Sequence, residues 1–282
     1  MKVRRIKDVQ EPTHKKHKSK KKLKKVLTWI KTMLVIALFV TTVVYAALSP
    51  FFNINEIVVK GASHYDNQSL IEVSGLNKGE NGFRQIFNNP GKFYFLRIGS
   101  AERKITEECP YIKNVKVRVI IPSKVSIEVK EREAAAIISM TGSNLLIDRE
   151  RVLLEINPEM KELDLPVIKG IKLDAYKPGK QIDMQEDLLI SAFNVYDTIR
   201  EMDTRNTDKL LPSVDYVDIG DIYNIRFSLQ SRVIVNLGKL EDLNYKMNAV
   251  QTIFNKNIKK DERGKLDFSI DGNPVFTPEN GG

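Results

Sequence analysis

Between Val26 and Leu48 the chain is almost continuously apolar. Thr32–Leu48 holds seventeen residues without a charge, and Val26–Ile30 lengthens the run to twenty-three with Lys31 as its one interruption. As a helix rising 1.5 Å per residue this stretch is about 26 to 34 Å long, enough to cross a bilayer core. Lys31 lies near the start, where its stem can snorkel to the headgroups, and Trp29 and Tyr45 fall where amphipathic rings settle at the two interfaces. The competing reading is a cleaved signal peptide, because a basic region, an apolar stretch and Ala46-Ala47 are all present. Its apolar core, however, is limited to about 15 residues.

Beyond the span the period changes. Asn53–Gly61 reads as a strand closed by a glycine turn, and Asp66–Ser74 as a short capped helix stopped at Gly75. A second helix has Ser100 as its expected cap, Ala101, Ile105 and Cys109 on one face, and Pro110 as its stop. Strict alternation follows: Val115, Val117, Val119 and Ile121, then Val125, Ile127 and Val129, joined at Pro122-Ser123. That pattern predicts an antiparallel hairpin with one buried face and two helices to cover it.

Residues 137–170 alternate short apolar runs with turn residues. Asp183 and Glu186 are placed to cap a helix whose stripe is Leu188, Leu189, Ala192, Phe193, Tyr196 and Ile199. Strands are predicted at Val214–Ile219, Ile222–Leu229 and Arg232–Leu237, with Tyr223, Ile225, Phe227 and Leu229 sharing a face. A helix carrying Leu243, Met247, Val250 and Phe254 comes next. The last apolar segments, Lys265–Ile270 and Asn273–Thr277, flank a tight-turn signal at Asp271-Gly272.

Charge sharpens this picture. The 282 residues carry a formal +9, but residues 1–25 alone hold twelve Lys/Arg against two Asp/Glu, and the chain beyond Lys31 sums to −2. The dense positive charge precedes the span, so the tail is expected in the cytoplasm and the remainder outside. Eight lysines among residues 15–25 favour anionic lipid, and no specific nucleic-acid binding is expected. The single cysteine, Cys109, permits no internal disulfide and reads as a small packed residue. His14, His17 and His64 leave little material for a metal centre or a His-based triad.

Several runs carry a family resemblance: FNINEIVVKG at 52–61, Val73-Ser74-Gly75-Leu76, Pro110–Val115, and above all IPSKVSIEVKERE at 121–133. Together with the basic tail and single span, they resemble the bacterial cell-division family FtsQ/DivIB, whose first domain outside the membrane is a POTRA domain. The resemblance implies an α+β, bitopic membrane protein with one N-terminal transmembrane helix, a POTRA domain and a C-terminal mixed α/β domain dominated by antiparallel sheet. The expected segments are a basic cytoplasmic tail at 1–25, the span at 26–48, the POTRA domain at 51–132, a β-domain at 133–277 and a tail at 278–282. Two places depart from the family pattern. Asn81–Phe95 looks like an enlarged loop, and Arg149-Glu150-Arg151 stands where relatives commonly place a glycine turn.

In this family the late strands of the β-domain present an edge to a strand from the coiled-coil partners FtsB and FtsL, or DivIC and FtsL in Gram-positive bacteria. Carried onto this chain, that implies partner-binding residues Leu266, Phe268, Ile270, Val275 and Phe276. Phe276 is the favoured anchor, because aromatic residues often dominate interface energy. The implied role is a non-enzymatic divisome scaffold at the septum of the cell membrane, touching the septal peptidoglycan synthase indirectly and needing neither cofactor nor metal.

An anchored cell-wall enzyme, or a regulator of peptidoglycan synthesis, is the alternative. Its motifs are missing: the one Ser-x-x-Lys match, Ser19–Lys22, precedes the span, and Gly-x-Ser-x-Gly, Walker and HExxH sequences are absent. Asp148 as a catalytic acid lacks a partner carboxylate at a defensible spacing. A POTRA-bearing outer-membrane assembly factor would add a long barrel, which the sequence is not expected to supply.

Overall fold

The computed structural model describes residues 16–87, 95–159, 164–269 and 274–279, with side chains from Leu23 onward. Helix α1 (Lys16–Ala47) contains the apolar run, and Leu23–Ala47 is long and apolar enough to cross a membrane. The hydroxyls of Thr28, Thr32, Thr41 and Thr42 donate to carbonyls four residues back. Those four polar groups are thus satisfied inside the helix, as lipid surroundings require.

The chain forms two compact units. One comprises Met1–Val58, Leu76–Gly99 and Val117–Ser126; the other comprises Val59–Gly75, Ser100–Lys116 and Ile127–Gly282. Strands β1 (Glu56–Lys60), β2 (Ile112–Ile120) and β3 (Lys124–Glu131) form a three-stranded sheet in the order β1-β3-β2.

In the first unit, α1 passes through a short turn, Pro50–Phe52, straight toward β1, where Asn55 N–H donates to Ser123 O at 2.8 Å. Val117, Val119 and Val125 are buried as alternation predicts. Ile121 was expected beside them but is 54% exposed, because it lies in the turn between β2 and β3. The expected enlarged loop contains a helix, α3 (Gly82–Phe87), whose six residues are too few to register as periodicity. Asn81 Oδ1 caps it by accepting Arg84 N–H at 3.1 Å.

In the second unit, α2 (Asn67–Ser74) is capped by Asp66, which accepts Gln68 N–H at 2.9 Å, and ends at Gly75 in the left-handed region. Helix α4 (Gly99–Glu108) begins one residue before Ser100, so Ser100 occupies the first turn rather than the cap. Cys109 follows it and is buried; that burial, with Glu108 nearby, pushes its thiol pKa up.

The larger sheet contains β4 (Ala136–Met140), β5 (Ser143–Ile147), β6 (Leu153–Ile156), β7 (Val167–Lys169), β8 (Val214–Asp218), β9 (Ile225–Leu229), β10 (Val233–Gly238), β11 (Gly264–Asp267) and β12 (Val275–Pro278). Their order is β12-β11-β10-β9-β8-β7-β4-β5-β6. Pairs β10/β11, β4/β7 and β7/β8 are parallel and the other five antiparallel. Helices α5 (Glu186–Arg205) and α6 (Leu243–Lys256) contribute Leu189, Phe193, Ile199, Met247, Val250 and Phe254 to the core that also holds Phe227, Val235 and Leu266. Each such large side chain stabilises the fold by about 1.5–3 kcal/mol relative to exposure.

The structure departs from the sequence pattern at three points in this unit, two of them set by local hydrogen bonds. Gln185, not Asp183, occupies the α5 cap position, and Glu186 sits in the first turn, where the helix dipole favours it. Asp221 accepts from Tyr223 N–H and Asn224 Nδ2, folding 221–224 into a turn and leaving Tyr223 exposed, off the face it was expected to share. After β5, Asp148 Oδ1 accepts from Glu150 N–H at 2.9 Å and Val152 N–H at 2.8 Å. This makes the turn without glycine and leaves Arg151 at a φ of 64°. Asp148 is therefore a turn-former.

Candidate functional site

A nine-stranded sheet has two edges, and here they differ. Along β6, Leu153 N–H donates to Lys180 O at 3.0 Å, Gly179 N–H to Leu153 O at 2.8 Å, and Val152 bridges Gln181. The chain thus covers that edge with its own backbone. At the other end β12 pairs with β11, and among the described residues no further strand lies beyond it.

Register fixes which groups β12 turns outward. Leu266 pairs with Phe276, Gly264 with Pro278, and the ladder continues to Glu279, whose N–H donates to Arg263 O at 2.9 Å. Antiparallel hydrogen-bonded pairs alternate, so Val275, Thr277 and Glu279 direct their N–H groups toward β11 and Phe276 directs its own outward. The neighbours of that parity are Pro274 and Pro278, which have no N–H. The open edge accordingly presents one donor, at Phe276, and carbonyls at 274, 276 and 278. Sequence reasoning missed this bracket, although the spacing Pro274-x-x-x-Pro278 places both prolines on one edge of any strand.

The five residues implied as partner-binding separate into distinct environments. Leu266 is 0% exposed and belongs to the core. Phe276, opposite it, is half-buried and packs on the same core, so its ring faces inward rather than standing out as an anchor. Phe268 is also half-buried against the core; it lies just past β11 and donates its N–H to Asn236 O at 2.8 Å. Val275 is exposed. Ile270, with the expected turn at Asp271-Gly272, lies outside the described residues.

Gly264 holds the edge strand close. A Cβ there would lie 2.4 Å from Thr277 O and 2.7 Å from the Phe276 ring, which packs diagonally over the glycine. Asp267 ties down the far end of β11. Burial raises its pKa, but hydrogen bonds from Lys265, Ser269 and Asn236 outweigh this and hold the carboxyl well below its ordinary value. Beside the edge lies a trough of about 510 Å³ whose lining includes Arg226, Arg232, Arg263 and Lys265, with Glu279 as its carboxylate. Arg232 is anchored by donating to Lys259 O and Glu262 O while lying 4.5 Å over the Phe254 ring.

The expected interface residues of α1, Trp29, Lys31 and Tyr45, are all exposed. Trp29 and Tyr45 stand sixteen residues apart, about 24 Å along the axis.

Residues 52–132 match the POTRA domain, FtsQ-type. The chain is 30% identical over 231 residues to cell division protein DivIB of Clostridium acetobutylicum, covering 81% of this chain and 84% of that protein. It is 25% identical over 261 residues to DivIB of Clostridium botulinum strain Hall, covering 90% and 94%. To cell division protein FtsQ of Corynebacterium glutamicum it is 24% identical over 233 residues, covering 83% and 92%.

Proposed function

Because the chain belongs to the DivIB/FtsQ family of cell-division proteins, we propose that it is a non-enzymatic divisome scaffold. In this reading it docks a strand from a DivIC/FtsB-like or FtsL-like partner along β12 and so helps assemble the septal peptidoglycan synthesis machinery. The observation that carries the reading is the asymmetry of the large sheet, with β6 covered by 179–181 and β12 open among the described residues. Charge asymmetry around α1 supports a cytoplasmic N-terminus with the folded units outside, and membership of a cell-division family supports the septal membrane as the working place. The basic tail is then suited to anionic lipid on the inner leaflet.

Strand addition draws affinity from backbone pairing and selectivity from side-chain pockets. One donor and three carbonyls, at about 0.5–1.5 kcal/mol net per bond, amount to only a few kcal/mol. Partner side chains must supply the rest. The basic trough favours acidic residues flanking the incoming strand, and exposed Val275 offers an apolar contact on the face opposite the Phe276 ring.

The test is binding of the full chain, in nanodiscs, to the purified outside segment of a DivIC-like partner. Phe276→Ala removes the ring and keeps the outward donor; Phe276→Pro removes both. The expected result is a further loss of affinity, about tenfold, from alanine to proline, equivalent to one backbone bond. Val275→Pro acts differently, because it strikes a donor aimed at β11 and so loosens the sheet itself. Equal affinity for folded Phe276→Ala and Phe276→Pro would remove β12 as the docking edge.

A further inference from the structure

The first compact unit shows its large exposed apolar side chains in one place. Outside α1 and among the described residues of that unit they are Leu48, Phe51, Phe87, Phe95, Ile120 and Ile121. Single exposed apolar residues are ordinary, but a cluster at one end of a unit marks a contact surface.

Hydrogen bonds and packing place all six around the exit of the span. Asn81 Nδ2 donates to Ala47 O at 3.1 Å and to Ser49 O at 2.9 Å, so one side chain satisfies carbonyls at the C-terminus of α1 while its Oδ1 caps α3. Phe87 is the last residue of α3. Gly82, the first, sits against Phe52 O and Val119, with room for no more than a tight Cβ. Val119 N–H in turn donates to Leu96 O at 2.9 Å, bringing Phe95 alongside Ile120. The turn holding Ile121 ends at Ser123, whose carbonyl accepts Asn55 N–H. Phe51 meets Phe52 edge-on at 5.1 Å and Phe52 meets Phe83 at 5.0 Å, so the exposed Phe51 ring is held by a row of rings rather than left free.

We infer that this rim is a second membrane contact, lying on the phospholipid surface of the leaflet where α1 emerges and inserting Phe51 and Phe95, each 69% exposed, into the headgroup and acyl boundary. The headgroup layer beyond the hydrocarbon is about 5–8 Å thick on each side. Asn81, bonded directly to Ala47 O, falls within it, as does Phe51 four residues along the chain, and the contacts from Gly82 through Val119 to Leu96 bring Phe95 to the same end of the unit, which commits the rim to lipid. Exposed Arg84 on α3 and Arg118 on β2 supply guanidinium groups suited to lipid phosphate. The inference rests on α1 spanning the bilayer and does not depend on β12.

The full chain is reconstituted in nanodiscs of phosphatidylcholine and phosphatidylglycerol, with bromine carried either near the carbonyl end or near the terminus of the acyl chains. The parent protein's one tryptophan, Trp29, reports insertion of α1. In a Trp29→Phe background, Phe51→Trp and Phe95→Trp are then read one at a time. Both are expected to emit at shorter wavelength than water-exposed tryptophan and to be quenched more by shallow bromine than by deep. If Trp29 is quenched while positions 51 and 95 are not, the rim does not touch lipid and the inference is overturned, whether or not another protein covers it. If Trp29 itself escapes quenching, the spanning reading fails and the inference falls with it. Circular dichroism of each variant matching the parent confirms that folded protein is being read.

Discussion

Arg132 Nη1 lies 2.6 Å from Asp148 Oδ2, with the two side chains only 15% and 6% exposed. The pair joins the chain just after β3 to the turn after β5. Glu150 extends it outward, contacting Arg132 at 2.9 Å and pairing with Lys113. Nearby Glu131 accepts from Ser63, His64 and Tyr65 N–H groups, and the His64 ring stacks on Tyr111 at 3.6 Å. Lys113, Glu131, Arg132, Asp148 and Glu150 border a cleft of about 420 Å³ in which positive and negative side chains are matched.

Removing one partner of the buried pair strands the other. Arg132→Met is expected to destabilise the protein by about 3–5 kcal/mol, whereas Arg132→Met combined with Asp148→Asn should cost less than the sum of the single changes. Urea denaturation of the four proteins in the cycle measures the coupling. A strictly additive result would mean that the ion pair contributes nothing of its own.

Gly264→Ala is expected to cost about 1–3 kcal/mol by overpacking and to release β12. Adding Phe276→Ala should not restore it, because the closer obstacle is the Thr277 carbonyl, which is backbone. Hydrogen exchange at the Thr277 amide, which faces β11, reads the effect: it should accelerate in both variants.

Glu131 gives stability a pH dependence. Burial raises its pKa, but hydrogen bonds from the Ser63 hydroxyl and the N–H groups of residues 63–65 prevail and hold it below its ordinary value. The unfolded chain, with Glu near 4.3, then binds more protons than the folded one in this window, so stability rises with pH. The contribution is full above about pH 4.3 and is lost as pH falls through the lower folded value. Denaturation midpoints from pH 3 to 7 should show a shallower acid decline in Glu131→Gln than in the parent, starting from a lower plateau at neutral pH.

Ser126 Oγ is buried and meets no hydrogen-bond partner among the described residues. A hydroxyl buried in that way costs about 1–3 kcal/mol. Ser126→Ala is therefore expected to be neutral or to stabilise by up to about 1 kcal/mol, visible as an unchanged or raised melting temperature. A clear drop would reveal a partner for the hydroxyl.

What could be read from the sequence follows the range of the forces involved. Val115, Val117 and Val119 announce their buried face through a two-residue period, and Asp66 and Gly75 mark both ends of α2, because these signals lie within one strand or one turn. Tyr223 and Ile121 continue the alternation in sequence and leave it in space, since Asp221 folds the backbone before β9 begins and Ile121 has already entered the turn. The parallel pairing of β10 with β11 across α6 has no local sign at all. At the edge, Leu266 and Phe276 were legible as apolar. Their inward direction required the register, and the register also gave Pro274 and Pro278 their meaning.

That pair of prolines bears on symmetry. Two copies of the chain meeting edge to edge about a two-fold axis through Phe276 would set Pro274 of each against Pro278 of the other. Of the three hydrogen-bonded positions in such a ribbon, two would be empty of donors, and only the reciprocal pair at Phe276 would form. A foreign strand carrying ordinary residues opposite the prolines can donate to all three carbonyls. The edge is thus poor at recognising itself and better at recognising something else, a bias toward heterotypic assembly written in two ring closures.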